Sequence, residues 1–208
     1  MNGRALRDLL VEALARLPQA KDELCDLDAA IGDGDLGITV ADGSTAARDA
    51  LLALPEDATP AEVLRAMAPA IARANPSTFA ALVAAALLAA SRALGDRVDA
   101  RGGDLIEAGR IGAQAIAARG KAELGDKTVL DALVPSLDAA AEHPEAPFTA
   151  ALQAARDGVT KTREIASVRG RAAWIGERTR GHVDPGAMAY LRFLEALEVA
   201  ARNVEARR

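Results

Sequence analysis

The residues with the clearest chemical function lie between Leu27 and Thr39, where the chain reads Leu-Asp-Ala-Ala-Ile-Gly-Asp-Gly-Asp-Leu-Gly-Ile-Thr. Asp28 falls in the last turn of a predicted helix, and Asp33 and Asp35 follow in a loop. The three carboxylates can point to one place, where their mutual repulsion favours a bound cation. Because all these ligands are oxygen atoms, Mg²⁺ or Mn²⁺ is favoured, and phosphate oxygens often complete its coordination. The first hypothesis is therefore a site of phosphoryl transfer.

The same acidic loop has a simpler interpretation. Asp and Gly are common in turns, and Asp-Gly-Asp between two helices can be only a solvated turn with an N-cap. A calcium loop of the EF-hand type is disfavoured, because counting from Asp33 puts Ser44 at the twelfth position, where that loop needs a bidentate Glu. The loop residues alone leave the metal site and the solvated turn open.

Two further loops combine residue types that bind anions. Residues 120–128 have glycines, two lysines including Lys127, and the start of a helix, which together can hold an anion or the face of a nucleotide. Residues 169–183 contain the only Trp and one of two His, with Arg171 and Arg178 able to stabilise phosphate charge. A loop of this length in a compact bundle is usually functional or disordered. The simpler alternatives are an ordinary helix-helix loop and a plain surface loop.

The rest of the chain is predicted to form helices that position these loops. Apolar residues recur at helical spacing, Pro and Gly stand at the boundaries, and there is no strand-like alternation. The predicted helices cover residues 6–17, 19–31, 38–54, 61–74, 77–94, 102–119 and 148–168, with one more beginning after 125–128 and a last one at Pro185. Half of the residues are hydrophobic but only 2% are aromatic, so Ala, Leu, Val and Ile must fill the core. This composition predicts an all-α bundle.

Length and charge limit the classes of function. The 208 residues predict one domain spanning 1–208, and the net charge of −5 offers no basic surface for nucleic acid or anionic lipid. The longest apolar run, 79–90, is shorter than the roughly 20 residues that cross a bilayer. Cys25 is alone, which fits a core residue, and no targeting segment is evident. We expect a cytoplasmic protein with neither a nucleic-acid nor a membrane partner.

Four segments, starting at Leu27, Asn75, Gly120 and Gly170, together resemble the L subunit of bacterial dihydroxyacetone kinase, the DhaL or DAK2 domain. That family shows Leu-Asp-x-x-Ile-Gly-Asp-(Gly/Ala)-Asp-His-Gly, a Gly-Gly-(Ala/Thr)-Ser-Gly helix start and Gly-Lys-x-x-x-Gly-Asp-Lys-Thr. Its fourth motif is Gly-Arg-Ala-x-x-x-Gly-Glu-Arg-x-x-Gly-x-x-Asp-Pro-Gly. Three of the four motifs are nearly intact here, and the resemblance spans the whole chain.

The resemblance implies an eight-helix antiparallel barrel that binds ATP or ADP and two Mg²⁺ at one end. It implies metal ligation by Asp28, Asp33 and Asp35. The nucleotide-binding positions that follow from it are Gly37, Ile38, Thr39, Ser77, Thr78, Gly120, Val129, Arg171, Asp184, Pro185 and Gly186. The implied reaction is in-line transfer of the γ-phosphoryl group of ATP to a ketose hydroxyl, in which Arg171 or Lys127 supplements the metal charge.

The resemblance also implies that this chain is half of an enzyme. In that family the ketose is held covalently by a His of a separate K subunit or domain, and neither His143 nor His182 is well placed to do so here. We expect a K-type ketose-binding partner, with the nucleotide either exchanging as ATP or staying bound as ADP and recharged by a phosphocarrier subunit of a phosphotransferase system. The alternative is a non-catalytic nucleotide-binding phosphocarrier or regulatory homologue that binds a partner protein.

Two positions depart from the family pattern. Leu36 stands where the motif has His, and Asn75-Pro76-Ser77-Thr78 replaces the glycine-rich helix start. Pro76 lacks an N–H and stiffens the turn, while the hydroxyls of Ser77 and Thr78 can compensate. We expect a working site of altered geometry, in a subfamily acting on another small ketose such as a tetrulose. Leu36 is expected in a loop facing the phosphates, with a place in the barrel core as the alternative.

Overall fold

The computed structural model describes residues 1–206, including all of their side chains except those of Arg171, Glu205 and Ala206. Its α-helices are α1 (Gly3–Leu14), α2 (Lys21–Ala29), α3 (Leu36–Leu52), α4 (Pro60–Ala74), α5 (Thr78–Leu94), α6 (Gly102–Gly120), α7 (Leu130–Glu142), α8 (Pro147–Lys161) and α9 (Pro185–Ala206). Within residues 1–206, extended pairing is limited to one bridge between Asn2 and Asp99. The predicted all-α fold is confirmed.

Eight longer helices, α1 and α3–α9, pack as a closed ring. Each helix from α3 to α8 packs against the next one along the chain, α9 packs against α1, and α1 also contacts α3 and α4. A helix that packs directly against its predecessor after a loop reverses direction, so neighbours in the ring are antiparallel. The short α2 packs against α3 and α9. The expected eight-helix antiparallel barrel is therefore confirmed.

Small residues let the helices of this ring approach closely. The core is built mainly from Ala, Leu and Val, and alanines such as Ala132 and Ala155 have no exposed surface. At Gly158 on α8, a Cβ atom would collide with the carbonyl oxygen of Asp131 on α7, so only glycine fits where these helices touch. No helix within residues 1–206 combines the length and the apolarity that crossing a bilayer requires.

The alternation of direction brings several helix N-termini to one end of the barrel. In a ring of antiparallel neighbours every second helix starts at the same end, which applies to α3, α5, α7 and α9. Backbone N–H groups at helix N-termini are unpaired within the helix and carry partial positive charge. The fold therefore creates an end of the barrel that suits an anionic ligand.

The predicted eighth helix is too long. It was expected to reach Val168, but α8 ends at Lys161. The hydroxyl of Thr162 donates to the Val159 carbonyl (2.6 Å) and accepts from the backbone N–H of Asp184 (2.8 Å), and the chain becomes extended at Ile165. This long-range hydrogen bond to Asp184 fixes the helix end.

The prediction that Leu36 lies in a loop is wrong. Leu36 is the first residue of α3, it is only 7% exposed, and it belongs to a hydrophobic cluster with Leu24 and Ala189. It also borders the cavity described below. The alternative, a place in the barrel core, is therefore the observed one, because α9 covers a position that sequence alone left exposed.

Candidate functional site

The three predicted metal-ligating aspartates come together at the end of α2. Asp28 belongs to the last turn of that helix, and Asp33 and Asp35 belong to the loop that leads into α3. One carboxylate oxygen from each lies within 4.8 Å of the others. Asp28 and Asp35 are half-buried and Asp33 is exposed. Three oxygen ligands at this separation suit a hard divalent cation such as Mg²⁺.

Asp28 also fixes the shape of the acidic loop. Its Oδ2 accepts hydrogen bonds from the backbone N–H groups of Asp35 (3.0 Å) and Leu36 (3.3 Å), so it caps the start of α3 from a distance. Gly34 has φ of 79°, a conformation that residues with a Cβ rarely adopt. The loop is therefore folded back on α2, which holds the carboxylates together.

Next to the aspartates is a cavity of about 380 Å³, which is large enough for a nucleotide. Residues at the start of α3, α5, α7 and α9 border it, as the arrangement of helix N-termini predicts. The predicted site residues that line the cavity are Asp28, Asp33, Asp35, Thr39, Ser77, Thr78, Gly120, Lys127, Val129, Asp184, Pro185 and Gly186. The structure thus brings together most of the residues that the resemblance implies.

Three predicted residues stand differently. Gly37 is buried against α2, where a Cβ atom would collide with the carbonyl oxygen of Lys21, so it serves the packing of α2 on α3. Ile38 is 40% exposed and does not line the cavity. Arg171 begins a 3-10 turn that ends at Trp174, and its side chain lies outside the described part of the structure.

One side of the cavity is apolar, which the sequence alone did not indicate. Phe79 from α5, Leu82 one turn later and Ile116 from α6 line it together with Val129. An apolar surface suits a nucleobase, while the acidic end suits metal and phosphate. These residues were missed because on separate helices they have only the spacing of ordinary core residues.

A buried hydroxyl next to the acidic end has no partner. Thr39 is only 2% exposed, and among the described residues its Oγ1 makes no hydrogen bond. Unsatisfied buried polar atoms are uncommon, and an acceptor atom of a ligand in the adjoining cavity would satisfy this one. Ser77 Oγ accepts from the N–H of Ala80 (3.1 Å), which leaves its own hydroxyl proton for a ligand. The donors and the three carboxylates together fit a Mg²⁺-nucleotide.

Lys127 has a position that the predicted charge-neutralising role did not anticipate. Its side chain is 1% exposed, and its Nζ donates to the carbonyl oxygens of Ile165 (3.1 Å), Thr179 (2.7 Å) and His182 (2.6 Å). An ammonium group has three donors, so all of them are used by the backbone of residues 165–182. Burial lowers the pKa of this ammonium group.

Asp184 caps the start of α9 at the edge of the cavity. Its Oδ2 accepts from the backbone N–H of Ala187 at 2.7 Å. The carboxyl keeps a little exposed surface at the cavity but is densely enclosed by protein atoms, and this burial raises its pKa to about 7. The nearby carboxylate of Asp131 adds to the rise, while Lys127 and the backbone donors oppose it. Asp184 is therefore a titratable group within the site.

Comparisons with known proteins show which family the chain resembles. The family model described as the DAK2 domain matches residues 30–199. The chain is 34% identical over 185 residues to the "PEP-dependent dihydroxyacetone kinase 1, ADP-binding subunit DhaL" of Listeria innocua, covering 88% of each chain. It is 37% identical over 180 residues to the "L-erythrulose 1-kinase" of Mycolicibacterium smegmatis, covering 84% of this chain and 32% of that protein.

A solved structure shares the fold. The dihydroxyacetone kinase from C. freundii in complex with AMP-PNP and Mg²⁺ matches with a TM-score of 0.78 and 27% identity, over 94% of this chain and 34% of that chain. The chain therefore spans most of the Listeria subunit but about a third of the two longer kinases. Since the family model covers most of the sequence, this chain belongs to the DAK2 domain family.

Proposed function

We propose that this chain is the Mg²⁺-nucleotide-binding, phosphoryl-transfer subunit of a small-ketose kinase. The observation that carries the proposal is the group of three carboxylates within 4.8 Å of one another, beside a cavity bordered by four helix N-termini. A relative that is 34% identical is named an ADP-binding subunit, and the similar C. freundii structure contains AMP-PNP and Mg²⁺. These names agree with the donor set of the cavity.

In this proposal each part of the cavity has one task. Asp28, Asp33 and Asp35 hold two Mg²⁺ ions, which when bound withdraw charge from the phosphate groups. The N–H groups at the helix starts and the hydroxyls of Thr39 and Ser77 orient the phosphates. The apolar side of the cavity holds the base and keeps water out. Catalysis then depends mainly on positioning and charge neutralisation.

The remaining predicted roles belong to the same proposal. Arg171 is proposed to neutralise phosphate charge, a role that suits a planar guanidinium group. Ser77 and Thr78 are proposed to replace the amides that a glycine-rich helix start would supply. Thr78 begins α5 and is exposed at the cavity, where its hydroxyl can reach a ligand.

The ketose is proposed to sit on a separate K-type subunit. Within the described residues, His182 belongs to the segment held by Lys127, and His143 lies beside Glu145 on the surface, so neither is placed to anchor a sugar in the cavity. The Listeria relative of similar length is named as a subunit, whereas the kinases named for L-erythrulose and dihydroxyacetone are about three times longer. The name of the Listeria relative, a subunit of a kinase, supports a ketose-binding partner for this chain.

The proposal allows two sources of the phosphoryl group. ATP can exchange at the site, or bound ADP can be recharged by a phosphocarrier subunit, as the names of the PEP-dependent and PTS-dependent relatives suggest for those proteins. Dialysis separates the versions, because an exchanging nucleotide washes out of the purified chain and a resident one does not.

Ketose turnover tests the proposal. The purified chain with Mg²⁺ and ATP is offered dihydroxyacetone or erythrulose, first alone and then with a K-type subunit, and with a phosphoenolpyruvate-charged phosphocarrier if ADP stays bound. We expect phosphorylated ketose only when the K-type subunit is present. Robust turnover by the chain alone would contradict the split enzyme. Nucleotide binding without turnover in any combination would instead favour the non-catalytic homologue.

A further inference from the structure

Residues 162–184 form a loop whose two ends lie side by side. The N–H of Gly181 donates to the Arg163 carbonyl (2.8 Å), and the N–H of Ser167 donates to Thr179 Oγ1 (2.8 Å). We call residues 162–167 and 179–184 the neck, and residues 168–178 the tip. A loop that closes on itself in this way is typical of Ω-loops, which are often functional.

The neck is buried where its two segments meet, and the tip borders the nucleotide cavity. Thr162, Ser167 and Thr179 in the neck are buried. In the tip, Gly170 and Trp174 line the cavity, and Trp174 is 89% exposed. The position of the tip over the cavity therefore depends on how the neck is held.

Lys127 enters the neck from outside the loop. Its ammonium group donates to one carbonyl of the first neck segment, at Ile165, and to two of the second segment, at Thr179 and His182. The bonds span 38 to 55 residues of sequence, so they join parts of the chain that have no local reason to meet. Removing the ammonium group would leave the buried carbonyl of Thr179 and the part-buried carbonyls of Ile165 and His182 without this donor, which is unfavourable.

The backbone around Lys127 is built to deliver its side chain to the neck. Lys127 has φ of 61°, in the left-handed region that non-glycine residues rarely occupy. The carboxylate of Asp131 accepts from the N–H groups of Gly125 (2.6 Å) and Thr128 (2.7 Å), on both sides of Lys127. An unfavourable conformation persists only where its surroundings fix it, and such residues concentrate at functional positions.

We infer that Lys127 is a positioning residue whose ammonium group joins the two segments of the neck and so holds the tip over the nucleotide cavity. This assigns to Lys127 a role in shaping the site instead of contact with the transferring phosphate. The link to nucleotide affinity rests on the proposed function, whereas the link between Lys127 and the neck does not.

Hydrogen exchange of the nucleotide-free protein tests the neck directly. In Lys127→Met the backbone N–H groups of Ser167, Gly181 and Asp184 should exchange at least about tenfold faster than in the wild type, because their bonds lie within the neck. Peptides from α3–α6 should be unchanged. The matched control is Lys121→Met, in the same loop, with φ of 50° and an exposed side chain, and it should exchange like the wild type.

Chemical rescue separates a donor of hydrogen bonds from a mere filler of space. Lys127→Ala should regain protection in residues 162–184 when propylammonium is added, but not with tetramethylammonium, which has no N–H. The rescue experiment also keeps the inference testable if Lys127→Met loosens the whole chain. Unchanged exchange in the neck of Lys127→Met, or equal rescue by the two cations, would overturn the inference.

Nucleotide affinity completes the test. Calorimetry with Mg·ADP should show at least about tenfold weaker binding to Lys127→Ala than to the wild type, with recovery in propylammonium. If the wild type does not bind Mg·ADP at all, the proposed function fails while the exchange result still decides the role of Lys127. If the neck opens in the variant but affinity is unchanged, the tip does not contribute to the nucleotide site and the inference fails.

Discussion

The acidic cluster at the end of α2 and the neck around Lys127 border the same cavity, but they treat charge in different ways. The cluster places one carboxylate oxygen from each of three aspartates within 4.8 Å of the others, at half-buried and exposed positions. A bound cation therefore stabilises the cluster. Lys127 is fully buried, and backbone carbonyls use all three of its donors. A buried cation whose three donors are all used by the backbone is suited to positioning, whereas three neighbouring carboxylates are suited to binding a cation.

The largest effect is expected at Asp28, which belongs to the cluster and also caps α3. Asp28→Ala should reduce Mg·ADP affinity at least about 100-fold, because it removes a ligand and frees the loop that orders the other two. It should also lower the free energy of unfolding by about 1 kcal/mol through loss of the cap. Calorimetry and thermal melts measure the two effects.

A matched control keeps that prediction specific. Asp42→Asn changes an exposed carboxylate on α3 outside the cluster and should leave affinity unchanged. If Asp28→Ala and Asp42→Asn bind Mg·ADP equally well, the cluster is a solvated turn and the comparison between the two regions collapses.

A smaller effect is expected at Leu36, where the family motif has His. Leu36→His places an imidazole in the cluster with Leu24 and Ala189, and it should lower the free energy of unfolding by roughly 1–3 kcal/mol. Leu36→Met, which nearly keeps the volume, should cost less than about 1.5 kcal/mol. Denaturant unfolding without nucleotide measures both variants. A Leu36→His protein as stable as the wild type would mean that the imidazole reaches the cavity.

Burial of the Asp184 carboxyl gives the stability of the neck region a pH dependence. Because the folded-state pKa is raised from 3.8 to about 7, the folded protein retains this proton where the unfolded chain has lost it. The contribution of Asp184 to the free energy of unfolding therefore falls as the pH rises from about 4 to about 7. The charged groups that act on Asp184 are Asp131, which raises its pKa, and Lys127, which lowers it.

Asp184→Asn should remove this dependence. Relative to the wild type, the nucleotide-free variant should be more stable at pH 8 than at pH 5, by on the order of 1 kcal/mol. Thermal melts at the two pH values give the difference, with Asp42→Asn as control. A stability difference that does not change with pH would show that Asp184 is ionised throughout.

The smallest effect on stability is expected at the tip. Trp174 is 89% exposed, so Trp174→Ala should change the free energy of unfolding by less than about 0.5 kcal/mol. Its effect should appear in ketose turnover with a K-type partner, since an exposed aromatic beside the cavity is well suited to be buried by that partner. The control is Val98→Ala, at a 71% exposed position that follows the C-terminal end of α5. Equal turnover by the two variants would exclude Trp174 from the partner surface.

The two regions also differ in how far the sequence could predict them. Asp28, Asp33 and Asp35 are within eight residues of one another, so a helix end and a glycine-containing loop suffice to bring them together. The helical fold was likewise predictable from periodicity. The position of the Lys127 side chain was not predictable. Its three acceptors lie 38 to 55 residues further along the chain, and they are backbone carbonyls, which every residue type has.

Burial was predicted less well than local structure. Leu36 was expected in a loop because nothing in its neighbourhood shows that α9 would cover it with Ala189. The apolar side of the cavity combines Phe79 and Leu82 with Ile116 from another helix, and the ring must close before these residues share a surface. Such features depend on tertiary contacts, which periodicity does not encode.

The most direct test of the account is calorimetry of ADP binding to the unmodified chain in Mg²⁺ and in EDTA. Three carboxylates beside the phosphate position would repel the nucleotide unless a cation lies between them. We predict binding in Mg²⁺ and at least about 100-fold weaker binding in EDTA. Equal affinity in the two buffers would contradict a metal-dependent nucleotide site at Asp28, Asp33 and Asp35.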